Sequence, residues 1–280
     1  MWTRLQNNSR NPIGQKFEEL REKGESALVA YLTANDPSPE AFRANCAALV
    51  DGGADILEIG VPFSDPIADG PVIQASSSRA LAGHNTLAGI LDEVRGFSSR
   101  FHLPTVVLTY YNPILAMGIE SFLKNAHSSG LSGVVIPDLP FKEGGKIRGL
   151  AAKNSIDRIL LAAPNTPLQR LKQILEQSQG FLYLISLFGV TGPRDALSPI
   201  ALEGLSHVKK QSNGNIPVCA GFGISNPKQV SELVSSGADG VIVGSYLVKI
   251  VAQHLDYPET AAANLKTAVS DLKQATRRRV

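Results

Sequence analysis

Three carboxylates, Glu58, Asp65 and Asp69, fall within the stretch EIGVPFSDPIADGP that runs from residue 58 to residue 71. Glu58 lies between Leu57 and Ile59 in an apolar run, so its side chain is expected to leave water. Burying a carboxylate without partners is costly. One resolution is structural: a salt bridge or backbone donors satisfy it. The other is chemical: desolvation raises the pKa until the group serves as an acid or base near neutrality. Asp69 supplies a second carboxylate farther along the same stretch. Its structural alternative is to cap the following helix. Asp65 stands before Pro66, where it can simply fix a turn.

Glycines form the second set of candidates. Gly221-Phe222-Gly223 and Gly244-Ser245 follow the last two apolar runs. Glycine lets a backbone approach an anion closely, and N–H groups at a helix N-terminus hold phosphate. The plain alternative is that these glycines serve only tight turns. Aromatic and polar residues also collect at run ends: Tyr31, Thr33, Tyr110, Tyr111, Asn112, Asp138, Tyr183 and Ser186. No lysine falls in a run, which disfavours a Schiff base. Histidines 84, 102, 127, 207 and 254 lie outside the runs without ligand spacing, which disfavours zinc. No P-loop occurs, and LTANDPSP after the first run lacks the glycines of a dinucleotide turn. The chemistry is therefore expected to be cofactor-free and carried by carboxylates, beside an aromatic pocket and a phosphate cradle.

The elements that must position these groups are short apolar runs at 28–34, 56–62, 105–111, 133–139, 158–164, 181–187, 217–223 and 240–246. They are apolar on both faces, as parallel strands covered by helices are. Between them lie stripes of helical period, such as Ile119, Phe122-Leu123 and Ala126. Several helices are expected to end at glycine, in GGAD (52–55), SGLSG (129–133) and SGAD (236–239), the usual left-handed cap. GADILEIG (53–60) is echoed by GADGVIVG (237–244). Eight strands alternating with helices indicate an α/β (β/α)8 TIM barrel, a single domain over 1–280, with an extra N-terminal helix. An open doubly wound sheet is the rival. In a barrel, chemistry lies at the C-terminal ends of the strands, and phosphate is commonly held after strands seven and eight.

A net charge of +2 gives no electrostatic case for nucleic acid. Residues 1–14 read as a flexible lead-in, and 271–280, with the basic run Arg277–Arg279, as a frayed tail. Cys46 and Cys219 make no disulfide framework and fit free thiols in a reducing cytoplasm. No apolar stretch approaches the roughly 20 residues of a membrane span.

The blocks LEIGVPFSDPIADGPVIQ (57–74), VIPDLP (135–140), YLISLFGVTGPR (183–194), GFGIS (221–225) and ADGVIVGS (238–245) closely resemble tryptophan synthase alpha chains. The resemblance runs in order from about Phe17 to Val251, and the first block is highly specific. It implies a lyase: retro-aldol cleavage of indole-3-glycerol phosphate into indole and glyceraldehyde 3-phosphate. It implies no cofactor in this chain. It also implies a beta chain as partner, carrying pyridoxal phosphate in an alpha-beta-beta-alpha heterotetramer. Position by position, Glu58 and Asp69 match the catalytic pair. Gly192, Gly221, Gly223, Gly244 and Ser245 match phosphate positions. Tyr31, Leu108, Tyr110, Val135, Tyr183, Thr191 and Phe222 match the indole pocket. Pro62 and Asp65 fall in the first of the family's two mobile loops, near Pro62–Asp69 and Phe188–Leu197, where partner contact is expected. Two positions depart from the pattern. Asn35 stands where the family usually has glycine, and its tolerance of a left-handed backbone predicts that the turn survives. Leu187 stands where some members carry arginine. Three rivals are a free-standing indole-releasing lyase, a silent activator of the beta chain and another phosphosugar barrel such as an isomerase. Intact Glu58 and Asp69 argue against the second, and the aromatic pocket against the third.

Overall fold

Each of the eight apolar runs becomes a parallel strand, and most of the strands stop short of the run's end. The computed structural model describes residues 11–185 and 197–278. In chain order the first half comprises α1 (Pro12–Glu22), β1 (Ala27–Thr33), α2 (Pro39–Asp51), β2 (Ile56–Gly60), α3 (Pro71–Leu81), α4 (Leu87–Phe101), β3 (Thr105–Leu108), α5 (Tyr111–Met117), α6 (Ile119–Ser128) and β4 (Gly133–Val135). Then follow α7 (Gly145–Lys153), β5 (Asp157–Ala162), α8 (Leu168–Gln177), β6 (Leu182–Ile185), α9 (Pro199–Ser212), β7 (Val218–Gly221), α10 (Pro227–Ser235), β8 (Gly240–Val243), α11 (Ser245–Ala252) and α12 (Pro258–Gln274). The strands pair in sequence order and β8 closes onto β1. The result is a TIM barrel, not an open sheet. The run at 133–139 shortens to three residues because Pro137 has no N–H for a ladder.

Strand residues alternate between two cores. Leu57 and Ile59 point outward into the layer shared with the helices. Ile56, Val29, Val106, Val135, Ile159, Cys219 and Ile242 fill the bore, and Ile13, Phe17 and Leu20 of α1 pack against them. Phe17 meets Phe181 with ring centroids 6.0 Å apart. Helix α1 therefore closes the N-terminal end of the barrel.

Over their described residues, 11–14 and 271–278, both expected loose ends are corrected by this packing. The lead-in read over 1–14 already turns helical at Pro12. Asn11 Oδ1 accepts the Ile13 N–H at 3.1 Å, and Asn11 Nδ2 donates to Ser132 O at 3.3 Å and Ser155 O at 3.2 Å. Asn-Pro is a strong helix start, since asparagine caps and proline is preset for the first turn. The tail read as frayed over 271–280 is held as far as it is described. Leu272 is buried, Thr276 is fully buried, and Thr276 O accepts the Ser26 N–H at 3.0 Å. Lys273 pairs with Glu25 at 2.9 Å and Asp55 at 2.8 Å.

The echoed GAD motif proves to be a repeated device at the closed end. Gly53 and Gly237 take φ of +98° and +95°, as left-handed caps. Asp55 Oδ2 then accepts the Leu28 N–H of the preceding strand at 2.7 Å, and Asp239 Oδ2 accepts the Val218 N–H at 2.8 Å. Each carboxylate also pairs with a lysine, Lys273 and Lys209 respectively.

Candidate active site

The alternation that sends Leu57 and Ile59 outward turns Glu58 into the bore. Its Cα neighbours in the ladder are Tyr31 on β1 and Val106 on β3. The side chain is 1% exposed, and neither carboxylate oxygen has a hydrogen-bond partner among the described residues. The salt-bridge resolution of a buried glutamate is thus not the one adopted. Burial, and secondarily the charge of nearby Asp69, push its pKa up to about 8.

Asp69 lies at the end of the loop that follows β2. Helix α3 is capped at Gly70 without any side-chain bond, so Asp69 is not spent on capping. Its Oδ2 accepts a hydrogen bond from Tyr110 Oη at 3.1 Å. Burial pushes its pKa up to about 6, against the lowering effect of that bond. The Tyr110 ring stacks on Phe63 at 5.0 Å, and its oxygen accepts the Ala68 N–H at 3.0 Å. Pro62 is buried, while Asp65 is exposed and takes the Ser64 hydroxyl. Ile67, at the loop's crest, is 79% exposed.

Tyr31 connects the bore to α3. Ser76 Oγ donates to Ile73 O at 2.7 Å, so it must accept from Thr33, which in turn accepts from Tyr31 Oη at 3.3 Å. A second tie runs from Arg79 of α3 to buried Asp36, through two bonds of 2.8 Å. Asn35 has φ of +58°, as its left-handed tolerance predicted, and donates to Asn85 Oδ1 at 2.6 Å. Arg79→Ala would leave the Asp36 carboxyl buried and unpaired. We expect it to cost about 2–3 kcal/mol of stability, read from the urea midpoint, because breaking a buried pair strands the remaining charge. A cost below about 0.5 kcal/mol, the scale of an ordinary surface change, would mean that the tie does not hold the loop's helix in place.

Glu58, Asp69, Tyr31 and Tyr183 lie within electrostatic reach of one another. Burial first, then the nearby carboxylates, hold both phenols well above the ordinary tyrosine range. Leu108 and Val135 are ladder partners on adjacent strands. Phe222 is buried just beyond β7. Gly221 ends β7 and Gly244 directly follows neighbouring β8, and each backs onto one of these tyrosines. A Cβ on Gly221 would meet Tyr183 Cε2 at 2.6 Å, and one on Gly244 would meet the Tyr31 ring at 3.3 Å. Gly223 is exposed with φ of +72°, and Ser245 opens α11 with its first-turn N–H groups unspent by any side-chain cap. Gly192, Thr191, Leu187 and most of the second loop lie outside the described residues.

A family profile described as tryptophan synthase alpha chain matches residues 17–277. The chain belongs to that family. A tryptophan synthase alpha chain from Methanosarcina acetivorans is 45% identical over 250 residues, covering 89% of this chain and 90% of the relative. A solved tryptophan synthase from Mycobacterium tuberculosis superposes with a TM-score of 0.87 at 34% identity, covering 95% of this chain and 98% of that one. A solved tryptophan synthase complex from Pyrococcus furiosus superposes with a TM-score of 0.81 at 38% identity, covering 89% and 98%.

Several groups that shape the site of this alpha chain carry no local signal in its sequence. Phe63 follows Pro62 in the acidic loop, yet nothing local announces that it stacks on a residue just beyond the next strand. Gly60 looks like an ordinary strand-end glycine, yet a Cβ there would overlap the Tyr31 hydroxyl. Asp157 is, with Glu58, a buried carboxyl left without a partner among the described residues. It is 7% exposed with Oδ2 unpartnered, and burial pushes it up to about 7. It opens β5 at the closed end, away from Glu58.

Proposed function

We propose that this chain carries out the alpha reaction of tryptophan synthase, the retro-aldol cleavage of indole-3-glycerol phosphate into indole and glyceraldehyde 3-phosphate. The observation that carries the reading is Glu58: a dry, unpartnered carboxyl in the bore, protonated near neutrality, facing a second carboxylate. Cleavage needs an electron sink, and the indole ring can become one. Glu58 gives its proton to indole C3, which makes the ring a cation. The bond from C3 to the glycerol carbon then breaks, and its electron pair returns to the ring. The hydroxyl on that carbon becomes the aldehyde, and its proton returns to Glu58. Asp69 accepts a hydrogen bond from the indole N–H and stabilises the positive charge as it grows. Tyr31, Leu108, Tyr110, Val135, Tyr183 and Phe222 line the indole. The amides of Gly221, Gly223, Gly244 and Ser245 hold the phosphate beside Tyr183 and Tyr31.

The partner on this reading is a tryptophan synthase beta chain, in an alpha-beta-beta-alpha heterotetramer. Family membership supports it, and so does the likeness to a chain solved in a tryptophan synthase complex. Pyridoxal phosphate belongs to that partner, and this chain needs no cofactor of its own. Exposed Asp65 and Ile67 on the loop offer contact. The setting is the cytoplasm; no helix among the described residues is long and apolar enough to cross a membrane. The test is indole release from indole-3-glycerol phosphate by the chain alone and with a beta chain added. Slow release that rises sharply with the beta chain is expected. Fast release indifferent to it would mean a free-standing lyase, and no release in either case would remove Glu58 as the acid.

A further inference from the structure

The Tyr110 ring is as well placed as any to line a pocket, but its hydroxyl is committed elsewhere. The Ala68 N–H can only donate, so Tyr110 Oη accepts from it at 3.0 Å. The one phenolic proton is then left for Asp69 Oδ2, at 3.1 Å. The direction of that bond is therefore forced by the loop's own backbone. The ring itself is packed in place. It is 1% exposed and stacked on Phe63 with planes 26° apart. Its neighbours in the chain are pinned too: Thr109 N donates to Val135 O at 3.0 Å, and Tyr111 N to Asp138 Oδ1 at 2.9 Å. One side chain thus grips the acidic loop near its start, at Phe63, and at its end, at Ala68 and Asp69.

We propose that Tyr110 is a positioning residue for the cleavage, its hydroxyl fixing the Asp69 carboxylate in place and keeping it ionised. This rests on the role given to Asp69 above. A pocket wall needs only an aromatic ring, and phenylalanine would serve it equally. A hydroxyl whose donor and acceptor are both spent on the loop serves a different purpose. Among the described residues, the titratable groups around Asp69 are Glu58 from β2, Tyr31 from β1 and Tyr183 from β6, with Asp138 beyond Tyr110. None is cationic. Burial raises the Asp69 pKa, and the Tyr110 hydrogen bond opposes it.

The test is Tyr110→Phe, which keeps the ring and its stacking. With indole-3-glycerol phosphate as substrate, kcat should fall about tenfold, the scale of one hydrogen bond to a charged group, while KM stays within about twofold. The acid limb of the pH profile should move up by roughly one pH unit, because the ionised form of Asp69 has lost its donor. A readout independent of turnover is the 13C titration of the Asp69 carboxyl in the unliganded chain, whose midpoint should rise by the same amount. A variant that changes KM alone, with acid limb and carboxyl midpoint unmoved, would reduce Tyr110 to a wall and overturn the proposal. If the parent chain releases no indole, the functional reading fails by itself, and the carboxyl titration still decides whether Tyr110 governs Asp69.

Discussion

Glu58→Gln slows indole release by about a hundredfold or more, the scale of one general acid–base group, and at alkaline pH it makes the chain more stable. Glutamine keeps the volume but has no proton to give to indole C3. The gain in stability follows from proton linkage. Folding raises the Glu58 pKa from 4.5 to about 8. Between those values the folded chain holds a proton that the unfolded chain has released. Stability from this group is therefore intact below pH 4.5, falls as pH rises, and levels off above about 8. Asp69, raised to about 6, and Asp157, raised to about 7, act in the same direction. The variant escapes the largest share, on the order of 3 kcal/mol at pH 9 after the loss is discounted for relaxation. Denaturant titrations at pH 5 and pH 9 should show the two proteins nearly equal at the first and separated at the second. The rate has its own signature. Glu58 must be protonated and Asp69 ionised, so kcat/KM against pH should be a bell bounded near 6 and near 8. Full turnover by Glu58→Gln, or a profile flat to pH 9.5, would remove Glu58 from the mechanism.

Gly60→Ala is expected to cost about 2–3 kcal/mol, as overpacking of a filled interior does, and to spoil the pocket as well. The added methyl would overlap the Tyr31 hydroxyl, with Cζ at 2.5 Å and Cε2 at 2.7 Å. Tyr31 cannot step aside cheaply. It is 6% exposed, and its hydroxyl begins the chain of bonds through Thr33 and Ser76 to helix α3. A double variant separates steric overlap from any need for glycine itself. Removing only the hydroxyl leaves Cζ in the way, so Gly60→Ala with Tyr31→Phe should recover little. Gly60→Ala with Tyr31→Leu should recover most of the lost stability. Equal recovery by both would mean that the hydroxyl alone makes the contact. No loss in the single variant would mean that the strand ends have room to spare.

Much of this fold is written locally. The strands are legible because a parallel barrel buries both faces, leaving runs such as Ile56–Gly60 in which Glu58 stands out. The same contrast exposes the main candidate: one polar residue in an apolar run must point somewhere that tolerates it. What is not legible is contact across long separations. Phe63 on Tyr110, Asp36 with Arg79, and Gly60 beneath Tyr31 join distant positions, and each partner has an ordinary local role. The C-terminal segment misled for the same reason. Its basic residues look unpaired until Glu25 meets Lys273 and Arg277, Asp55 meets Lys273, and Asp239 meets Arg278. Asp157 gives the sharpest lesson. It is buried, unpartnered and shifted in pKa much as Glu58 is, yet it opens its strand where Glu58 is inside one. A buried carboxyl is therefore not enough to mark a site; depth along the barrel decides what it can meet.

The helix that closes the bore removes one of the two ways into this barrel. Ile13, Phe17 and Leu20 fill what would otherwise be a second opening. Substrate, products and water are left the opposite rim, and the loop that holds Asp69 is part of it. Admission and departure are then not independent: a movement that shuts one shuts the other. A companion protein seated on that rim needs no contact with Glu58 to control it, since command of that passage is command of the chemistry behind it.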